Sequence, residues 1–324
     1  MSRNSKRAAA ASAALLVILI LAAVSPQRYA AACLNGLKLW LNFIVPTLFP
    51  FFVFTALLTK LGALSKGSLH FAPAMQKLFR LPGAAAYCFA MSALSGYPVG
   101  SRILCELKAN GLIGDGEMQR AAALCSTSGP MFVIGSVGAS MFGSAAYGAI
   151  LLVSHLAAVT GVSFLSARFA PPAPAAPLPA LRRADNALYE SVYGSVLSVL
   201  CVGGFIALFF VLTEMLTAFR ILLPVGKFFS LLFSAFGAES AGQGFALGLA
   251  EVTHGCSAIA SSGAAALPPA AFLITFGGGC ILAQQIGYLK KAGVKAGRFI
   301  GMKAAQAAAA FSLCLAICAA LGLL

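Results

Sequence analysis

The sequence predicts an all-α, polytopic membrane protein of two inverted-topology repeats, each with a re-entrant hairpin and a broken transmembrane helix. Three observations carry this. The chain is 60% hydrophobic and 9% charged, with a mean hydropathy of +0.93, whereas a soluble chain carries about 25% charged residues. Apolar runs close to the roughly 20 residues that cross a bilayer recur along it, without the short alternating segments of a β-barrel. One pattern also occurs twice. GAAAYCFAMSALSGYPVG (Gly83–Gly100) follows the Phe-containing MQKLFRLP and precedes CSTSGPMFVIGSVG; GAESAGQGFALGLAEVTHG (Gly237–Gly255) follows KFFSLLFSAF and precedes ITFGGGCILAQQIG. Paired interrupted apolar segments in corresponding halves point to a transporter-like core with its binding site at the breaks.

Basic MSRNSKR followed by apolar Ala8–Val24 predicts a first helix over 8–25. It reads as an uncleaved signal anchor (residues 1–35), with cleavage near the A-x-A-like Ala30–Ala32 as the alternative. The first repeat, 36–168, opens with a helix over 39–59, which Pro46 and Pro50 should kink. An amphipathic stretch over 60–81 should lie in the interface. The interrupted segment 83–107 follows, then a helix over 119–143 broken at Ser128-Gly129-Pro130, then a helix over 145–167. APPAPAAPLPA over 170–180 is a semi-rigid spacer within a linker, 169–187. The second repeat, 188–324, runs in parallel: a helix over 190–213, an amphipathic stretch over 215–236, an interrupted segment over 238–263, a broken helix over 268–289, and a final helix over 299–323.

Charge tests the topology. With the N-terminus in the cytoplasm and neither hairpin crossing, eighteen of the 22 basic residues fall inside, Lys303 among them. Arg28, Lys38, Arg220 and Lys227 fall outside, a clear positive-inside bias. If both hairpins crossed, the linker basics Arg182 and Arg183 and the Lys290–Lys303 cluster would fall on opposite sides. The count favours re-entry, the first hairpin from inside and the second from outside, which suits alternating access.

Irregular backbone at membrane depth survives where protein or a water-filled cavity satisfies it, so the tips and breaks should converge. In the first hairpin Gly96, Tyr97, Pro98 and Gly100 make the turn, and Ser101 is a candidate N-cap with Arg102 beside it. In the first broken helix Ser126, Thr127, Ser128 and Gly129 supply hydroxyls and a helix start, and converging helix N-termini make an anion site. The second tip carries Glu251, Thr253, His254 and Gly255. The second break carries Thr275, Gly277, Gly278 and Gln284. An intramembrane ionisable residue is a functional candidate: Glu251 and His254 for a proton or a polar group of the solute, Arg102 for an anion or a pairing carboxylate. Gly100 and Gly255 are expected to face each other across the cavity. Against this stands close packing through small residues, structural pairing of Glu251, and snorkelling of Arg102. His70 and His155 read as ordinary interfacial and helical residues.

No HExxH, GxSxG, P-loop or dinucleotide fingerprint is present, so an enzyme is not expected. The nine cysteines sit mostly in apolar runs without metal-site spacing, so neither metal nor cofactor is expected. The +14 charge is topogenic rather than a sign of nucleic acid. The expected partners are the lipid bilayer, a small anionic or nucleoside-like solute and, for a homo-oligomer, a second copy. The coupling ion, proton or sodium, is left open.

IVPTLFPFFVFTALL, LPGAAAYCFAMSALSGYPVGSRI, CSTSGPMFVIGSVGASMFG, EVTHG and FLITFGGGCILAQQ together resemble the YlbJ-type sporulation integral membrane proteins. These belong to the nucleoside-recognition, or Gate, domain group, which is similar to the core of concentrative nucleoside transporters. The resemblance covers roughly residues 36–322. It implies a role in endospore formation, in a cell membrane or the membrane around the forespore, moving a small anion such as dipicolinate. It also implies a site built from two hairpin tips and two unwound helices: Gly96–Ser101, Ser126–Pro130, Glu251–Gly255 and Thr275–Gly279. Glu251 matches an acidic hairpin residue that contacts ribose in the nucleoside transporters. The polar triplet of their first hairpin is replaced here by Gly-Tyr-Pro-Val-Gly, which argues against a nucleoside.

Overall fold

A computed structural model of the chain describes residues 3–61, 63–97, 99–171 and 186–324. Pro98 of the first hairpin and most of the Pro/Ala linker, with Arg182 and Arg183, lie outside the described residues. Among the described residues the secondary structure is helical, with no strand.

Helix α1 (Arg3–Val24) exposes Leu15, Leu16, Leu19 and Ile20, side chains suited to lipid. Pro26, pre-set for a first helical turn, then starts α2 (Pro26–Leu39), where no helix is expected from the sequence. A wide π-type turn, Trp40–Ile44, joins α2 to α3 (Val45–Lys60), so the apolar span runs over Pro26–Leu58 rather than from 39. The wide turn accommodates Pro46, which has no N–H for an ordinary turn. The Thr47 hydroxyl meets the carbonyls of Phe43 and Ile44 at 2.8 and 3.1 Å.

The first half continues through α4 (Ala63–Phe79), α5 (Ala84–Ser95), α6 (Val99–Ala109), α7 (Asp115–Leu124), a wide π-type helix Met131–Met141, and α8 (Ala145–Ala167). The second half has α9 (Ala187–Ala218), α10 (Leu222–Phe233), α11 (Gly242–Ala250), α12 (Val252–Ile259), α13 (Leu267–Phe276), α14 (Gly278–Leu289) and α15 (Ala296–Ala320). Each half thus reads as a long helix, an amphipathic helix, two interrupted pairs and a closing helix. Among the described residues five segments are long and apolar enough to cross a membrane: Pro26–Leu58, Ala145–Ala167, Ala187–Ala218, Val252–Leu289 and Ala296–Ala320. Helices α5, α6, α11 and α12, of 12, 11, 9 and 8 residues, each rise well short of the ~30 Å hydrocarbon layer. The limbs of each pair pack on each other.

The two halves interlock. One buried core joins α3, α8, α9, α11 to α13 and α15 with the Met131–Met141 helix. The other joins α4 to α7 with α14. The second limb of each broken helix therefore packs on the other half's hairpin: Met131–Met141 on α12, and α14 on α6.

Polar contacts gather the basic ends. Lys60 pairs with Glu190 at the start of α9, Arg120 donates to the Arg80 carbonyl at 3.1 Å, and Arg80 donates to the Ala170 carbonyl. The Lys295 N–H donates to Gln119 Oε1 at 2.9 Å. Near the opposite end of α9, Glu214 pairs with Arg28 at 2.6 Å. The loops before α7 and before α15 therefore share one end of the molecule.

Candidate functional site

The four breaks are built alike in the two halves. Helix α5 stops at Gly96, whose φ of +77° lies in the left-handed region that glycine enters without a Cβ clash. A Cβ there would fall 2.6 Å from Gly129 N, and one on Gly129 would fall 3.0 Å from the Leu94 carbonyl. The first tip thus rests on the first break, backbone against backbone. In the second half, α13 and α14 meet at Gly277 and Gly278, with φ of +88° and +64°. A Cβ on Gly278 would fall 2.7 Å from the Gly248 carbonyl and 3.3 Å from Val252 N, so the second tip rests on the second break.

A pocket opens where these pairs meet. Its empty space is about 470 Å³, open side included, and both tips, the first break and the first turns of α14 after the second break line it. Gly96, Tyr97, Ser95, Ser128 and Gly129 come from the first half; Glu251, Thr253, Cys280 and Gln284 come from the second. Ile44, Leu48, Phe132, Val202 and Ile206 form an apolar wall. The site therefore combines aliphatic and aromatic side chains with hydroxyls, an amide and one carboxylate.

Glu251 is 1% exposed. Its carboxylate accepts the N–H groups of Thr253 at 3.1 Å and His254 at 2.6 Å, capping α12. The positive end of the helix stabilises that charge. Two bonds leave acceptor capacity on a carboxylate.

Behind the pocket a polar network ties the halves together. His155 of α8 is fully buried. Its Nε2 accepts from Ser128 N–H at 2.9 Å, so Nδ1 carries the proton and donates to Thr275 Oγ1 at 2.9 Å. Lys303 of α15 is likewise 0% exposed. Its Nζ donates to the Ser126 carbonyl at 2.7 Å and to Tyr97 Oη at 3.2 Å. Tyr97 Oη in turn lies 3.3 Å from the Ile274 and Thr275 carbonyls. Ser126 follows the C-terminal end of α7, where the helix dipole favours a cation. Gln306, one turn along, donates to the Ala123 carbonyl at 3.1 Å. The closing helix of each half thus sends a basic side chain to the other half's break: His155 to Thr275, Lys303 to Ser126.

Of the residues expected at the site, Gly96, Tyr97, Ser128, Gly129, Glu251, Thr253 and Gln284 line the pocket. Ser126 and Thr275 stand behind it in the network. Thr127 bonds Ser92 Oγ at 2.8 Å and is buried as a structural tie. Gly277 and Gly278 shape the second break. Five positions do not meet the expectation. Arg102 points outward and pairs with Glu106 at 3.1 Å, because α6 turns that position away from its buried face. Ser101 caps nothing: α6 begins at Val99, and Ser101 Oγ meets Gln285 Oε1 at 3.1 Å. His254 stacks on Phe210 of α9, rings 4.4 Å apart. Gly100 and Gly255 do not face each other. A Cβ on Gly100 would strike the Cys125 carbonyl, and Ser92 Oγ at 2.6 Å, and Gly255 lies against Gly248 of its own hairpin, so Gly100 lets α6 approach both α5 and the end of α7, and Gly255 lets α12 approach α11.

The residues missed from sequence are His155, Lys303 and Ser95. Lys303, counted above on the inner face, is interior. A stripe of Phe299, Lys303, Gln306, Ala307, Ala310 and Cys314, all buried, follows helical spacing and is the signal that places Lys303 inside.

No protein-family model matches the chain, and no solved structure matches it. The chain is similar to the sporulation integral membrane protein YlbJ of Bacillus subtilis (strain 168), 26% identical over 296 residues that span 83% of this chain and 72% of that protein. The similarity supports the YlbJ-type resemblance of the motifs. Together with the five apolar spans, it supports a multi-pass integral membrane protein.

Proposed function

We propose that the protein is a membrane transporter of endospore formation that moves a small aromatic anion, dipicolinate or a close relative, by alternating access at the pocket between the four breaks. The observation that carries this reading is the convergence of both tips, the first break and the start of α14, drawn from both halves, on one cavity. The duplicated element order supports inverted repeats, and the short, paired limbs α5–α6 and α11–α12 support re-entrant hairpins. The apolar wall suits a flat ring. Ser95, Tyr97, Ser128, Thr253 and Gln284 suit its polar edge, and Lys303 sets a positive charge behind Tyr97. The sporulation setting rests on the similarity to YlbJ, a sporulation integral membrane protein by name.

Glu251 on the pocket wall favours a second reading, a nucleoside or other hydroxylated neutral solute, since a carboxylate accepts from hydroxyls. Counterflow exchange in proteoliposomes decides. Purified protein should exchange labelled dipicolinate and not a labelled nucleoside, and Val202→Trp, which fills the apolar wall, should abolish exchange at normal folded yield. Nucleoside exchange would support the second reading. Exchange of neither would indicate a non-transporting membrane component of sporulation.

A further inference from the structure

Lys303 is the charged group whose placement the pocket alone does not explain. It does not line the cavity. It is fully buried on a helix long and apolar enough to span a membrane, and none of the ion pairs among the described residues includes it. A lysine left so in the interior costs far more than an apolar side chain would, so its bonds matter. They go to the Ser126 carbonyl, just past the C-terminal end of α7, and to the Tyr97 hydroxyl at the hairpin tip. In transporters with broken helices the carbonyls at such half-helix ends hold the coupling cation. Here the amino group of Lys303, on a side-chain tether, stands at that end.

We infer that Lys303 takes the place of a free coupling ion, so that solute movement is coupled to protons through Lys303 and is independent of sodium. This rests on the transport reading above and names its coupling. Charged, Lys303 holds the first tip to the first break and balances an incoming anion. Nζ takes its proton from water on the side where the anion enters, forming one N–H bond; when it releases that proton to water on the receiving side, the N–H bond is lost, the ammonium becomes a neutral amine, and the anion loses its counter-charge. Proton and anion then travel together. The titratable groups facing Lys303 are Tyr97, through the hydrogen bond, and the neutral His155 of α8, on which the Lys303 charge acts. Helix α13, also packed on α15, carries none; α7 carries Asp115, Glu117 and Arg120 toward its start, and α14 carries Cys280 and Tyr288.

The test uses the full chain in proteoliposomes with labelled dipicolinate. Wild type should accumulate solute when the outside is acidic, about tenfold per pH unit if one proton is coupled, and an inward sodium gradient should add nothing. Two variants address Lys303 itself. Lys303→Met removes the charge and Lys303→Arg keeps a charge that cannot release its proton; in both, uptake should be equal with and without the pH gradient, whatever its rate. Sodium-driven accumulation in wild type, or a gradient response kept in either variant, overturns the inference. Failure of the transport reading is told apart by wild-type counterflow, which is then absent without any gradient. An arm free of solute remains in every case: replacing sodium by N-methylglucamine at constant ionic strength should leave the wild-type thermal midpoint unchanged, and stabilisation that grows with sodium overturns the inference.

Discussion

His155 Nδ1 lies 2.9 Å from Thr275 Oγ1, joining the closing helix of the first half to the broken helix of the second. The same ring holds the Ser128 N–H through Nε2, so one imidazole ties both breaks together between the two halves of the chain. His155→Ala should destabilise the purified protein by about 1–2 kcal/mol, because it leaves a buried N–H and a hydroxyl unpaired. His155→Phe, similar in volume, should not restore the loss, since the defect is polar. Thermal denaturation in detergent measures both; a His155→Phe protein as stable as wild type would mean that the ring serves as filler.

The tip-to-break contacts predict a contrast among glycines. Gly96→Ala and Gly278→Ala combine left-handed φ with Cβ positions 2.6 and 2.7 Å from backbone atoms. Left-handed backbone alone costs about 1–2 kcal/mol for a residue with a Cβ, and backbone neighbours cannot yield, so both variants should lose folded yield. Gly161→Ala, in α8 with nothing within 4 Å, should be neutral or stabilising by up to about 1 kcal/mol. Size-exclusion yield and melting midpoint for the three proteins check the pattern.

Charge inside and outside the pocket should behave differently. Arg102, exposed and paired within one helix turn, should tolerate Arg102→Gln within about 0.5 kcal/mol and keep wild-type uptake. Glu251→Ala removes the α12 cap and should cost about 1–2 kcal/mol. Glu251→Gln keeps an acceptor toward one N–H, so its yield should fall less while uptake changes. The comparison is uptake per folded molecule; a loss at Arg102 with none at Glu251 would reverse the assignment.

The hydrogen bond between Lys295 N–H and Gln119 fixes a topological expectation. In a background without native cysteines, Asn110→Cys and Lys295→Cys should react with an impermeant maleimide from the same side of the membrane. Arg220→Cys should react from the other. Reaction of Asn110→Cys and Lys295→Cys from opposite sides would exclude the inverted arrangement.

The four breaks are legible in the sequence because their cause is local. Gly96, Gly129, Gly277 and Gly278 do what few other residues do, and an apolar run that stops at SGYPVG or TFGGG must satisfy its backbone elsewhere. Glu251 is legible because a lone acid in such a run stands out. The start of α2 is written in Pro26, yet its apolar continuation into α3 depends on a wide turn that no single residue announces. Lys303 and His155 are hidden for a different reason. Each is one polar residue in an otherwise ordinary helix, and whether it faces lipid, water or core depends on how that helix is rotated against its neighbours. Lys303 also sits close to the basic run from Lys290 to Arg298, which draws it toward the surface in a charge count. Arg102 shows the reverse error: next to a break in sequence, it is carried to the outside by the turn of α6.

The measurement closest to the central claim is the two-sided accessibility of the pocket. A single cysteine at Val202, on the apolar wall, should react with small impermeant thiol reagents added from either side of sealed proteoliposomes. Dipicolinate should slow both reactions, and a nucleoside should slow neither. Reaction from one side alone, or from both sides without protection by any solute, would contradict a transport site between the four breaks.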